Sequence, residues 1–154
     1  VLEIVQVGDP VLTTPAAAVD DSEILSQKIQ QLIQDMTKTM YAAPGIGLAA
    51  PQIGVSLRIV VFYLPAGRAG GAEVPLTVLI NPSIEKIGDS LTVDWEGCLS
   101  VADKRGRVSR HDHIRYRGLD AKGLPVDVTA RGWHARVVQH ECDHLDGILY
   151  PELM

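Results

Sequence analysis

The sequence contains 154 residues, of which 46% are hydrophobic and 21% are charged, and its formal net charge is −5. This length and composition predict one globular domain over residues 1–154, with a core that needs no cross-links. The apolar runs are shorter than the ~20 residues of a membrane span, no secretion-type leader is visible, and the acidic balance argues against direct nucleic-acid binding. We therefore expect a monomer in the cytoplasm with no membrane partner.

The N-terminal third is predicted to contain an extended arm, one helix and a loop. Residues 1–19 combine apolar residues with turn signals and predict an extended arm. Asp20 and Glu23 have the spacing of a capping box, and apolar residues then recur at helical spacing, which predicts a helix over about residues 22–41. Residues 45–52 follow as an irregular loop punctuated by glycine.

The middle of the chain is rich in short β-branched and apolar segments, which predicts strands. The predicted strands span residues 58–63, 77–80, 91–95, 114–119 and 126–130. The last two are expected to pair as a hairpin. The glycine- and alanine-rich segment 65–71 is the best candidate for a mobile or variable insertion, and the basic segment 104–117 is interpreted as a solvated strand face.

A final helix is predicted over about residues 131–145, with Gly147 placed to stop it. The order of elements predicts an α+β fold. In this fold, antiparallel strands pack around the C-terminal helix, and the N-terminal helix lies on the outside.

The last predicted helix carries the segment Gln139-His140-Glu141-Cys142-Asp143-His144. Histidines four residues apart lie on one helix face, and a glutamate follows the first, which is the H-E-x-x-H arrangement of a metal site with its own proton carrier. Cys142 lies about 200° from His140 around the helix and cannot share their ion. The third ligand must come from elsewhere in the fold, and Cys98 is the only other cysteine.

A thiolate and two imidazoles leave a coordination position open for water, which is typical of a catalytic site. These ligands suit zinc or ferrous iron better than magnesium or calcium. A general zinc peptidase and a non-catalytic domain stabilised by metal are the competing interpretations.

The glycines of the 45–52 loop match the dinucleotide-binding pattern on paper. The context is wrong, because a predicted helix precedes the loop and Pro51 lies where a helix should be under way. The loop is therefore a structural turn or a backbone edge that lines a site, with Gln52 supplying a side-chain amide.

Several further polar residues have no settled role in the sequence. Acidic residues near the motifs could orient the ligand histidines or only solvate the ends of elements. They are Glu96, Asp143 and Asp146. The remaining histidines are predicted to lie at the surface: His111, His113 and His134.

Three segments resemble the signature motifs of the peptide deformylase family, in the family's order. They are Gly45-Ile46-Gly47-Leu48-Ala49-Ala50-Pro51-Gln52, Glu96-Gly97-Cys98-Leu99-Ser100 and the H-E-x-x-H segment 139–144. The resemblance implies an enzyme that removes the N-formyl group from the N-formylmethionine of nascent polypeptides and releases formate. Its partners would be N-formylmethionyl nascent peptides, near the ribosome.

The resemblance also implies roles for individual residues. Cys98, His140 and His144 would hold one divalent metal ion, with Fe²⁺ expected in the cell and Zn²⁺, Ni²⁺ or Co²⁺ in the purified protein. Glu141 would be the general acid and base, while Gln52 and the backbone N–H of Leu99 would stabilise the oxyanion. The implied substrate-binding positions are Gly45, Ile46, Gly47, Gly97, Arg105, Trp133, Arg136 and Val137.

Overall fold

The computed structural model describes residues 2–65 and 73–153. Within these ranges the chain forms two α-helices, Gln27–Ala42 (α1) and Gly132–Leu145 (α2). The strands are Gly47–Ala49 (β1), Ile59–Leu64 (β2), Val74–Lys86 (β3), Leu91–Cys98 (β4), Val101–His111 (β5), His113–Leu119 (β6) and Pro125–Arg131 (β7). Neither helix in the described part is long and apolar enough to cross a membrane.

The strands form two antiparallel sheets. A five-stranded sheet has the order β1-β2-β3-β6-β7, and β4 and β5 form a separate two-stranded ribbon. β1 is an edge strand that pairs with β2 from Gly47↔Phe62 to Ala49↔Val60. Its other edge pairs with no strand in the described ranges.

The two helices cover opposite faces of the five-stranded sheet. Successive side chains of a strand point to opposite faces, so β2, which is buried on both sides, contributes to two apolar clusters. Val60 and Phe62 pack with α2 residues, including Val138 and Leu145. On the other face Ile59 and Val61 pack with α1 residues: Ile29, Ile33, Met36 and Met40. The predicted α+β class, with strands around the C-terminal helix and the N-terminal helix outside, is confirmed.

The start of α1 differs from the prediction. Asp20 caps only a short 3-10 turn, Asp21–Glu23, by accepting a hydrogen bond from the Ser22 N–H. The N-cap of α1 is Ser26, whose hydroxyl accepts from the Ile29 N–H at 3.3 Å. A second good capping residue downstream therefore decided the boundary, and the prediction was wrong by about one turn.

The other elements follow the prediction to different degrees. The β6–β7 hairpin and α2 are confirmed, and Gly147 follows α2 with a φ of 76°. The predicted irregular loop contains β1, and β3 extends well beyond residues 77–80. Residues 101–111 form a full strand, so the basic segment 104–117, interpreted as one strand face, is divided between β5 and β6. The proposed insertion at 65–71 lies, apart from its first residue, outside the described residues.

Candidate active site

A cavity of about 740 Å³ lies where β1, the turn of the β4–β5 ribbon and α2 meet. It is lined by Gly45, Ile46, Gly47, Gln52, Gly97, Cys98, Leu99, Arg105, Trp133, Arg136, Val137, His140 and Glu141, among others. His144 lies beneath this surface and is 1% exposed. The fold thus brings the residues of all three sequence motifs to one place.

Cys98, His140 and His144 form a cluster with the composition of a metal site. Their candidate ligand atoms lie within 4.8 Å of one another. The two histidines lie one turn apart on α2, and Cys98 reaches them from the last position of β4, with its Sγ 3.3 Å from His144 Nε2. Cys142 is instead buried in the apolar cluster between α2 and the larger sheet.

The carboxylate of Glu96 fixes the orientation of His140. Its Oε1 lies 2.8 Å from His140 Nδ1. Because a carboxylate only accepts, Nδ1 carries a proton, which leaves Nε2 as the ring nitrogen that can bind a metal ion. Arg110 donates to both carboxylate oxygens at 3.0 and 2.8 Å, and Arg136 donates to Oε2 at 2.6 Å. Burial raises the pKa of Glu96, but the hydrogen bonds from His140 and Arg110 outweigh it and hold the pKa well below its usual range.

The other two acidic candidates act differently. Asp143 pairs with Arg110 and so touches the site only through that arginine. The Asp146 carboxylate pairs with Arg58 at 3.0 Å and is not hydrogen-bonded to the ring of either ligand histidine in the described part of the chain. Of the acidic residues left open by the sequence, only Glu96 orients a histidine directly.

The donor set fits a divalent transition metal. Burial lowers the pKa of His144 well below its usual value, so its imidazole is neutral and has a lone pair to donate. A thiol beside two imidazoles is the ligand chemistry of zinc and ferrous iron. The residues present therefore match the metal implied by the motifs.

Glu141 places a second buried carboxylate at the cavity. Glu141 is 5% exposed, and its Oε1 has no hydrogen-bond partner among the described residues. Burial raises the pKa of Glu141 to about 7. A carboxyl group of this kind can accept and return a proton near neutral pH.

Gln52 and the β4–β5 turn present hydrogen-bond donors beside Cys98. The Gln52 Oε1 accepts from the Ala49 N–H at 2.9 Å, which turns the amide NH₂ toward the site. That NH₂ donates to Ser100 Oγ at 3.1 Å and lies 3.6 Å from Cys98 Sγ. Leu99 directly follows Cys98 in the two-residue turn between the paired residues of the ribbon.

The backbone of Ile46, one of the predicted substrate positions, differs in detail from the expectation. The carbonyl of Ile46 accepts from the Tyr63 N–H at 2.9 Å, so it faces β2 and is not available to an extended ligand. Since peptide groups alternate along a strand, those of Gly47 face the free edge. Ile46 still reaches the cavity with its side chain.

Arg136 was predicted as a pocket residue, but its charge is engaged within the protein. Its side chain is 4% exposed, and its guanidinium binds Glu96 and the carbonyls of Val108 and Thr92, both at 2.9 Å. The guanidinium carbon also lies 5.7 Å from the centre of the Trp133 ring. Arg136 thus lines the cavity while it supports Glu96.

The surface prediction for His134 was wrong. The residue is half-buried and its Nε2 lies 2.8 Å from the Tyr116 hydroxyl. Sequence reasoning also missed Arg110, which has no local signal that separates it from its arginine neighbours on β5. Trp95, which lines the cavity and is 51% exposed, was another omission.

The scaffold and the site together define a hydrolase with a candidate metal centre. The family model described as polypeptide deformylase matches residues 1–154. Peptide deformylase 1 of Nitrosomonas europaea is 51% identical over 150 residues, which cover 96% of this chain and 84% of that protein. Peptide deformylase 1 of Bordetella pertussis is 49% identical with the same coverage.

Solved structures agree with the sequence comparison. The class I type b peptide deformylase from Acinetobacter baumannii, in its Met-Ala-Ser-bound structure, matches with a TM-score of 0.94 at 36% identity. The match covers 100% of this chain and 98% of that one. The chain therefore belongs to the peptide deformylase family, whose members remove N-formyl groups from nascent peptides.

Proposed function

We propose that this chain hydrolyses the formamide of N-formylmethionyl peptides and releases formate, using one divalent ion held by Cys98, His140 and His144. Fe²⁺ is the proposed ion in the cell, with Zn²⁺, Ni²⁺ or Co²⁺ in the purified protein. The proposed setting is the cytoplasm near the ribosome, where nascent chains emerge, and the proposed active form is a monomer. The observation that carries the proposal is the position of Glu141 and the Cys98–His140–His144 cluster at a groove bordered by the free edge of β1.

The edge of β1 suits an extended peptide. An unpaired strand edge can bind a peptide as an added strand through main-chain hydrogen bonds. Position 47 must be glycine for Glu141 to lie at this strand edge. A Cβ there would lie only 2.8 Å from Cδ and 2.9 Å from Cγ of Glu141. The proposed peptide lies along β1, with its formyl end toward Cys98.

The cavity also offers a place for the first side chain of the peptide. Ile46, Trp133 and Val137 supply an apolar wall beside the cluster. An unbranched, polarizable methionine side chain packs well in a pocket of this kind. Arg105 is exposed at the cavity, where the rest of the peptide would leave it.

The protein groups account for the proton transfers of amide hydrolysis. A bound divalent ion supplies Lewis-acid chemistry that acidifies water and polarises a carbonyl. Glu141 accepts a proton as a water oxygen bonds to the formyl carbon, and delivers it to the nitrogen as the C–N bond breaks. The Gln52 amide and the Leu99 N–H oppose the charge that develops on the formyl oxygen, a role in which one donor is worth roughly 3 to 4 kcal/mol.

The decisive experiment is anaerobic purification with metal analysis, followed by turnover of formyl-Met peptides and of matched unformylated peptides. We expect formate release from the formylated peptides only. Cleavage of internal peptide bonds would instead support the peptidase interpretation. Cys98→Ala should lose the metal, whereas Cys142→Ala, at the buried cysteine outside the cluster, should keep it.

A further inference from the structure

The candidate site lies at a junction between two sheets that share no strand pairing in the described ranges. Gln52 lies in the 3-10 turn Ala50–Ile53, which follows β1 of the larger sheet. Cys98 and Leu99 belong to the end of the β4–β5 ribbon. The relative position of the two proposed oxyanion donors therefore depends on contacts that bridge the sheets.

The N-terminal segment 4–7 makes such contacts on both sides. The Val5 N–H donates to the backbone carbonyl of Gln52 at 2.7 Å. The Gln6 side-chain amide donates to the carbonyl of Leu99 at 3.0 Å. The Val7 N–H donates to the carbonyl of Ser100 at 2.8 Å.

We infer that residues 4–7 are a positioning segment that holds the Gln52 amide and the Leu99 N–H in register for the developing oxyanion. The inference rests on the proposed function. Gln6 and Val7 hold the two carbonyls of the Leu99–Ser100 turn, and this limits rotation of the turn that presents the Leu99 N–H. The same turn carries Ser100 Oγ, which accepts from the Gln52 amide at 3.1 Å. Donors held in advance cost no reorganisation when charge develops, and small misplacements are expensive.

A purely structural role would have a different signature. Gln6 is exposed and Val7 is 58% exposed, so their hydrogen bonds cover little apolar surface. Loss of a structural contact would lower the melting temperature and leave the turnover of the folded protein unchanged. Loss of a positioning contact lowers kcat and leaves KM nearly unchanged, because it acts mainly in the transition state.

A proline at position 7 would break one of these hydrogen bonds while the local turn is kept. The Asp9 N–H donates to the Gln6 carbonyl at 3.2 Å, and Gly8 has a φ of 105°. The φ of Val7 is not positive, whereas that of Gly8 is. Residues 6–9 therefore have the pattern of a type II turn, with Val7 at its second position. Proline is favoured there. Val7→Pro therefore keeps the turn, removes the N–H and places the ring Cδ against the Ser100 carbonyl, which displaces the contact, whereas Val7→Ala keeps both the turn and the N–H.

We expect Val7→Pro to lower kcat on a formyl-Met peptide about tenfold relative to Val7→Ala. KM should stay within about twofold, and the metal content should be unchanged. Gln6→Ala, a milder change at an exposed side chain, should lower kcat about threefold against a Glu3→Ala control. If Val7→Pro does not fold, the comparison of Gln6→Ala with Glu3→Ala decides whether the segment positions the donors.

A second background tests the route of the effect. In a Gln52→Ala protein, the drop caused by Val7→Pro should shrink to about threefold, because one of the two donors is already gone. Unchanged kcat in both Val7→Pro and Gln6→Ala, with an active unaltered protein, overturns the inference and leaves the proposed function intact. An unaltered, metal-loaded protein that releases no formate overturns both.

Discussion

Glu96 is the buried residue on which most of the site's polar contacts converge. Its carboxylate binds His140, Arg110 and Arg136 and is 4% exposed. Buried ion pairs add little net stability, because desolvation costs about as much as the pairing returns. Removing one partner is nevertheless costly, since the others are left uncompensated. The network is therefore better explained by the fixed orientation of His140 than by a gain in stability.

Glu96→Gln should weaken metal binding by about 10- to 100-fold, because the amide cannot hold both arginines and the histidine. It should also destabilise the fold by roughly 3 to 5 kcal/mol. Chelator competition and denaturant unfolding measure the two effects. Glu85→Gln, on an exposed part of β3, is the matched control. Equal metal affinity in the two variants would show that Glu96 does not orient His140.

Glu141→Gln should keep the fold and the metal but lower kcat by about 10²- to 10⁴-fold, because an amide cannot carry the proton. Metal analysis and formate release on the same preparation separate binding from catalysis. Full turnover in this variant would remove Glu141 from the proton-transfer role.

At the scale of elements, β1 and α2 approach so closely that only glycine fits between them at position 47. A Cβ at Gly47 would press on Cδ and Cγ of Glu141, at 2.8 and 2.9 Å. A Cβ at Gly45 would meet mainly the end of the Leu99 side chain, at 2.7 Å from Cδ1. The close approach of the strand to the helix therefore places the Glu141 carboxylate at the β1 edge.

Gly47→Ala should therefore abolish most turnover, because Glu141 must move or the strand must shift. Gly45→Ala should have the smaller effect, since the tip of a leucine side chain can rotate away. Initial rates at saturating substrate, together with melting temperatures, measure the difference. The reverse order of effects would contradict this account of β1.

The contact between β6 and α2 predicts a pH dependence of stability. Burial lowers the pKa of His134, which faces the Tyr116 hydroxyl at 2.8 Å and the Phe62 ring at 6.1 Å. Because the unfolded chain then binds the proton more readily than the folded chain, stability falls as the pH drops below about 6.5. His134→Gln should reduce the loss of unfolding free energy between pH 7 and pH 5. An identical loss in both proteins would show that His134 does not contribute to it.

At the scale of the whole molecule, the candidate ligands join the two parts of the fold. Cys98 belongs to the ribbon, while His140 and His144 belong to the helix on the larger sheet. An ion bound only by the folded state stabilises it, by about 4 kcal/mol at a thousandfold excess over Kd. The proposed metal thus also holds the ribbon against α2.

A chelator should therefore lower the melting temperature of the metal-loaded protein, and Zn²⁺ or Fe²⁺ should restore it. The same treatment should leave the melting temperature of Cys98→Ala unchanged, because that variant lacks the link between the ribbon and α2. If the chelator does not change the melting temperature of the unaltered protein, the result would argue against metal at this site.

Local patterns were sufficient for the elements that depend on neighbours in sequence. The period of α2, the H-E-x-x-H spacing on it, its glycine stop and the β6–β7 hairpin arise from contacts a few residues apart. The same reasoning misplaced the start of α1, where two capping residues compete, and described β5 only as part of a basic, solvated strand face without its bounds. That strand is charged because one of its faces meets solvent and Arg110, on the other face, meets a buried carboxylate.

Sequence patterns alone were therefore enough to infer the fold class, the family motifs and the candidate set of ligands and proton carrier. Only the tertiary structure brought those motifs to one cavity, joined Glu96 to Arg110, Arg136 and His140, and laid residues 4–7 across both sheets. These contacts link residues up to 93 positions apart. The local periodicity of the sequence does not predict contacts between residues so far apart, because these contacts depend on how the chain packs and how buried charges are paired.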